Sequence, residues 1–140
     1  MKTLFESLGS SNVDDSRCNI LVIVKPGFFK DIPLIINKFD EKGWVVDRMR
    51  TKQLLPEEAK RLYDIHKKEE WFDELCEYMS SEPTTAILFV KDTPMSPDMF
   101  DETGGIKDAL RKELGESEMR NVVHSSDSLE RLKIERGIYF

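Results

Sequence analysis

Ile20-Leu21-Val22-Ile23-Val24-Lys25-Pro26-Gly27 is the stretch on which the fold turns. Its first five residues are apolar without a break and mostly β-branched, which fits a strand buried on both faces. Lys25-Pro26-Gly27 ends that strand. Downstream, Ile32, Ile35, Ile36 and Phe39 recur at helical spacing. Asp31 suits the N-cap of that helix, Pro33 is tolerated in its first turn, and Gly43 suits its C-terminal stop. Trp44 through Met49 reads as a second strand. Pro56, Glu57 and Glu58 open a helix whose stripe is Ala59, Leu62, Tyr63 and His66. The next helix carries Phe72, Leu75, Cys76 and Met79 on one face, with Trp71 at its border. Pro83 punctuates, and Thr84 to Val90 reads as a third strand. Residues 91–105 hold Pro94, Pro97, Gly104 and Gly105 and read as loop, with a turn at the paired glycines. A short helix with Ile106, Ala109 and Leu110 follows, then a strand over 121–124 and a helix from Ser128 to Arg136.

The order is β-α-β-αα-β-α-β-α. Strands and helices alternate, but the strands are too few for a doubly wound sheet. The expectation is an α+β domain with the ferredoxin-like split βαβ. It has a four-stranded antiparallel sheet, helices packed against one face of it, and a helical hairpin. Residues 1–17 read as a polar lead-in, and 18–140 as the domain.

A chain of 140 residues suggests one domain with a core large enough to need neither disulfide nor metal. The hydrophobic fraction of 39% is ordinary for a globular protein. A net charge of -6 argues against duplex nucleic acid as a partner, because counterion release needs a basic face. Cys18 and Cys76 read as buried thiols in a reducing compartment, so the cytoplasm is the expected location. No apolar run reaches membrane-spanning length.

Asn121-Val122-Val123-His124-Ser125-Ser126-Asp127-Ser128 carries the chemistry. Here a histidine ends a short strand just ahead of a helix. Asp127 and Glu130 have the spacing of a capping box. Free N–H groups and the helix dipole attract anions there, and an imidazole beside an anion site can hold a phosphoryl group. On this window alone, a packed strand-end histidine without chemistry stays open. Elsewhere, two histidines and two cysteines at scattered positions make no zinc pattern. The chain has neither G-x-x-x-x-G-K-[ST], G-x-G-x-x-G nor G-x-S-x-G. The first strand lacks the aromatics an RNA-stacking sheet uses. His66, on an apolar helix face, reads as a packed histidine.

Read together, these residues resemble the nucleoside diphosphate kinase family. Asn121-x-x-His124-x-Ser126-Asp127-Ser128 is similar to the signature around that family's phosphorylated histidine. Glu130, Glu135, Gly137 and the Tyr139-Phe140 ending fit its tail. Val24-Lys25-Pro26, Lys42-Gly43-Trp44, Tyr63, Trp71-Phe72, Tyr78-Met79 and Pro83 fit in the same order, over roughly residues 19–140. The resemblance implies a ping-pong phosphoryl transfer between nucleoside tri- and diphosphates through His124. Glu135 would hold the ring nitrogen that does not attack, and Ser126 would hydrogen-bond Glu135. Lys25 and Tyr63 would meet the transferring phosphoryl group. Arg111 would grip phosphate, Asn121 would donate to the ribose and phosphate side, and Trp71 would stack on the base. Magnesium is the implied cofactor, held through the nucleotide phosphates rather than by protein ligands of its own. A homo-oligomer, dimer or higher, is implied as well. Taken singly, Glu135 could instead pair with Arg131 at i, i+4, and Tyr63 and Trp71 could be core aromatics.

The chain also departs from the family. Gly27-Phe28-Phe29 stands where the family has an aspartate and glycine, and Ser125 follows the histidine where the family has glycine. Glu69 takes the place of a phosphate-binding arginine, and no arginine lies between Ala86 and Leu110, where the family has a second. The stretch is also shorter than the family's long surface loop, which leaves the usual hexamer open. A charge-assisted hydrogen bond contributes ~1.5–3 kcal/mol, so losing two clamps removes roughly two to four powers of ten in affinity. Lys67, Lys68, Lys91 and Lys107 are candidate replacements, as point charges. The alternative to a working kinase is a weak or inactive nucleotide-binding or protein-interaction module of the same fold.

Overall fold

The computed structural model describes residues 17–140. The lead-in at 1–16 lies outside the described residues, and Arg17 already begins the first strand. The strands are β1 (Arg17–Val24), β2 (Val45–Lys52), β3 (Thr84–Pro94) and β4 (Val123–Ser125). The helices are α1 (Ile32–Asp40), α2 (Pro56–Leu62), α3 (Phe72–Ser81), α4 (Asp98–Leu114) and α5 (Leu129–Tyr139). The sheet order is β2-β3-β1-β4, with every neighbour antiparallel. β1 and β2 run parallel with β3 between them, which is the split βαβ expected.

The helices do not lie on one face, as the sequence suggested. Phe39 of α1 stacks on Phe89 of β3 at 4.5 Å. Thr84 of β3 meets the Tyr139 hydroxyl of α5 at 2.5 Å. Phe89 and Thr84 are an odd number of residues apart on one strand, so they point to opposite faces. α1 therefore covers one face and α5 the other, which is why β1 is buried from Cys18 to Val24. On the α5 face, α2 packs on α3 and on α5, forming the hairpin. β2 is an edge strand and is largely exposed.

Of residues 91–105, only 95–97 lie outside strand or helix. β3 continues to Pro94, and α4 runs through Gly104-Gly105 without a turn. Met99, Thr103, Ile106 and Leu110 make a buried stripe at helical spacing. A Cβ at either glycine would meet nothing within 4 Å. Burial of that stripe outweighs a helix penalty of about 1 kcal/mol per glycine. The last cap also shifts by one residue. Ser128, not Asp127, is the N-cap of α5, and its hydroxyl accepts from the Arg131 N–H at 3.2 Å.

Candidate active site

β4 ends beside β1, with His124 paired to Ile23. Paired residues share a face, and Ile23 lies an even number of positions from Asn19 along β1. Asn19 accepts a hydrogen bond from Arg136 of α5 at 2.7 Å, so His124 also faces α5. β4 is shorter than the 121–124 strand expected, because the chain enters it through a tight turn. The Val123 N–H donates to the Asn121 carbonyl at 3.0 Å, and Val122 between them has φ +79°. That is the rarer, strained form of γ-turn, forced here on a buried β-branched residue. The Lys25 N–H holds the Val122 carbonyl at 2.9 Å. The strained turn thus couples the end of β1 to the residue two before His124.

Behind the ring sits Glu135, with 1% of its surface exposed. Its Oε1 lies 2.5 Å from His124 Nε2 and accepts from the Ser126 hydroxyl at 3.0 Å. Its Oε2 accepts from Arg131 Nε at 3.2 Å. The family-like partner and the i, i+4 pair with Arg131 are therefore both present, one on each oxygen. Burial pushes the Glu135 carboxyl up. The His124 charge, hydrogen bonds from His124 and Ser126, and Arg131 outweigh it and leave the pKa below its ordinary value. Sequence reading gave Arg131 no role in the site. It also donates to the Leu62 and Arg61 carbonyls at 2.8 and 3.3 Å, at the end of α2 just before Tyr63.

In front of the ring is a cavity of about 720 Å³, a size suited to a small-molecule ligand. Lys25, Tyr63, Trp71, Arg111, Asn121, His124 and Glu135 all line it, and Ser126 is buried behind Glu135. The structure therefore brings together the eight residues singled out from sequence. Glu135 holds Nε2, which leaves Nδ1 as the nitrogen for an incoming group. Tyr63 meets the imidazole edge-on at 5.4 Å. Its buried hydroxyl has no hydrogen-bond partner among the described residues. Such a group stands ready to donate to a ligand oxygen.

Lys25 Nζ donates to Asn121 Oδ1 at 2.6 Å and to the Met119 carbonyl at 3.3 Å. Burial, then the Arg111 and Lys107 charges, lowers its pKa from 10.5 to about 7. Asn121 also donates to the Glu118 carbonyl at 2.7 Å. Arg111 directs Nε and Nη2 at the Val123 carbonyl, at 3.1 and 2.9 Å. Trp71 is 42% exposed, stands at the start of α3 and touches His66 at 5.0 Å. His66, read from sequence as packed, is half-buried and lines the cavity beside it. Of the four candidate lysines, Lys107 lines the cavity. Lys91 pairs with Glu102 at 3.0 Å instead. Lys67, Lys68 and Glu69 are exposed outside the lining.

Comparison with known proteins gives the family. A family profile described as nucleoside diphosphate kinase matches residues 19–140. The nucleoside diphosphate kinase of Ignicoccus hospitalis is 34% identical over 128 residues, covering 85% of this chain and 86% of that protein. That of Campylobacter jejuni is 32% identical over 130 residues, covering 86% and 93%. A crystal structure of the Aquifex aeolicus nucleoside diphosphate kinase superposes with a TM-score of 0.71 at 24% identity. It covers 89% of this chain and 95% of that one, which supports the fold. The chain belongs to the nucleoside diphosphate kinase family.

Proposed function

We propose that the chain is a working nucleoside diphosphate kinase whose domain runs over residues 18–140. The observation that carries this reading is the His124–Glu135 contact at the cavity floor, with Nε2 held by a buried carboxylate. In the first half-reaction the Nδ1 lone pair forms a bond to the γ-phosphorus of a nucleoside triphosphate. The bond from that phosphorus to the β,γ-bridging oxygen breaks, and the nucleoside diphosphate leaves with the electron pair. In the second, a terminal phosphate oxygen of another nucleoside diphosphate attacks the phosphorus and His124 leaves. Glu135 fixes the tautomer and balances the positive charge of the phosphorylated ring. Ser126 and Arg131 hold Glu135 in place.

Lys25 and Arg111 offset charge on the phosphoryl oxygens, and the unpartnered Tyr63 hydroxyl donates to one of them. The second N–H of the Asn121 amide serves the ribose and phosphate side. Trp71 stacks on the base, which any base satisfies, so the preference among bases is broad. Magnesium fits this cavity as an ion carried in on the phosphates. The lining carboxylates Glu74, Glu118 and Asp127 form no group that would hold the ion by itself, so the nucleotide phosphates would be its ligands. Bound there, it would neutralise phosphate charge. We place the protein in the cytoplasm, in keeping with two free buried cysteines. We also place it in a homo-oligomer, for which the exposed edge strand β2, with Val45, Val46 and Met49, offers a surface. Among the described residues no helix is long and apolar enough to cross a membrane.

Incubation with γ-labelled ATP tests the reading. The wild type should take up an acid-labile, alkali-stable label, and His124→Ala should take up none. Wild type without label, or His124→Ala that keeps it, would overturn the proposal. Nucleotide binding without transfer would instead favour a module that has lost turnover.

A further inference from the structure

Lys107 has no part in the chemistry above, yet it lines the same cavity. It stands four residues before Arg111 on α4, so the two share a helix face one turn apart. The residue is half-buried, and its ammonium has no hydrogen bond or ion pair among the described residues. Burial, then the Arg111 charge, pulls its pKa below the ordinary lysine value, against the opposing pull of Asp108 and Asp127. Lys25, Lys107 and Arg111 therefore converge as three mutually repelling cations. The one deeply buried carboxylate of the cavity, Glu135, is already engaged by His124, Ser126 and Arg131.

Arg111 also has less to give than its guanidinium suggests. Two of its nitrogens point at the Val123 carbonyl. A polyphosphate chain entering this cavity would meet a guanidinium already committed in part to backbone, with a free ammonium one turn away. That separation, about 5–6 Å between Cβ atoms, lets two side chains reach two phosphoryl groups of one ligand. An ammonium with no hydrogen bond or ion pair in a partly desolvated wall is stabilised by an incoming anion.

We propose that Lys107 is a phosphate-binding residue of the nucleotide site, gripping the polyphosphate chain beside Arg111 and Lys25. The inference rests on the nucleotide reading above. It makes α4 a two-pronged clamp, one prong a fork and the other a point charge.

Calorimetric titration of ADP and of adenosine into the full chain tests this. Lys107→Gln should weaken ADP binding by about ten- to a hundredfold. It should leave adenosine binding unchanged, since adenosine has no phosphate for Lys107 to hold. Lys107→Arg should restore most of the loss. On the wild type, ADP should protect Lys107 from an amine-acylating reagent while Lys67 and Lys68 stay reactive, a readout that needs no variant to fold. Lys107→Gln that binds ADP like the wild type, or Lys107 acylated equally with and without ADP, would overturn this proposal alone. A wild type that takes up neither ADP nor label would overturn the nucleotide reading and this proposal together.

Discussion

Glu135→Gln replaces an acceptor-only carboxylate with one acceptor and one donor group, at almost the same volume. The carboxylate now serves His124 Nε2 at 2.5 Å, Ser126 at 3.0 Å and Arg131 at 3.2 Å. A glutamine can lie two ways. With its oxygen toward the histidine, its NH2 faces the Arg131 N–H, donor against donor. Flipped, its NH2 meets Nε2 and selects the tautomer with the proton on Nδ1, which removes the attacking lone pair. The first arrangement loses a charge-assisted bond, ~1.5–3 kcal/mol, or about ten- to a hundredfold in kcat/KM. The second loses at least as much. Removing one partner of a buried ion pair costs about 3–5 kcal/mol of stability. Arg131 keeps the Leu62 and Arg61 carbonyls as acceptors, so the loss should fall at the low end. The assay is kcat/KM for transfer from ATP to GDP beside a thermal melt. A folded variant within about twofold of wild-type kcat/KM would refute the argument that Glu135 orients and charges the ring.

Lys25 makes nucleotide binding pH-dependent. Its pKa of about 7 leaves it largely neutral above that pH in the free protein, whereas a phosphate chain selects the ammonium. ADP affinity should therefore fall as pH rises from about 7 toward the ordinary lysine value, with proton uptake on binding. Calorimetry in buffers of different ionisation enthalpy measures the uptake, which should vanish in Lys25→Gln; an unchanged uptake in that variant would contradict the assignment. Glu135 gives the opposite direction in acid. Its depressed carboxyl contributes stability that is present above 4.5 and lost as pH falls through its lower folded value. Acid unfolding of Glu135→Gln, followed by fluorescence, should accordingly be flatter than wild type below that point; parallel curves would exclude the linkage. Gly104→Ala and Gly105→Ala should each stabilise by about 0.8–1 kcal/mol, since α4 is helical there with room for a Cβ. Gly115→Ala should destabilise, because its Cβ would lie 2.4 Å from the Arg111 carbonyl oxygen. Lower melting points for the first two would count against a continuous helix.

The parts of the fold that could be read from sequence are those whose signal is local. Five consecutive apolar residues at Ile20–Val24 leave little choice but a doubly covered strand. Gly43, with φ +88°, stops α1 where its type predicts. The helix through Gly104-Gly105 was hidden because each glycine has a local cost, whereas the compensating burial of Met99, Ile106 and Leu110 exists only once α4 packs. Asp127 and Ser128 are equally good caps by residue type, and the γ-turn at Val122 decides the geometry leading up to them. In the site, the residues grouped by the signature were legible as a set. The Lys25–Asn121 bond, across 96 positions, was not, nor was the hold of Arg131 on the Leu62 and Arg61 carbonyls. Neither leaves a periodic trace in the chain.

The missing arginines then take on a different meaning. Sequence reading counts two lost clamps and expects a loose grip on phosphate. In the fold, the stretch that lacks arginine is β3 followed by most of α4, and α4 sets Lys107 and Arg111 one turn apart on a rigid element rather than on a loop. Lys25, just past the end of β1, is held with 4% of its surface exposed. A drop from 10.5 to about 7 corresponds to roughly 5 kcal/mol against its charged form. Part of that penalty is repulsion from Arg111 and Lys107, and a polyphosphate offsets repulsion and burial at once. A cavity built of crowded lysines thus discriminates more steeply between a charged and an uncharged ligand than the count of its cations suggests. The same crowding makes its grip responsive to pH near 7, which a clamp made of arginines would not be.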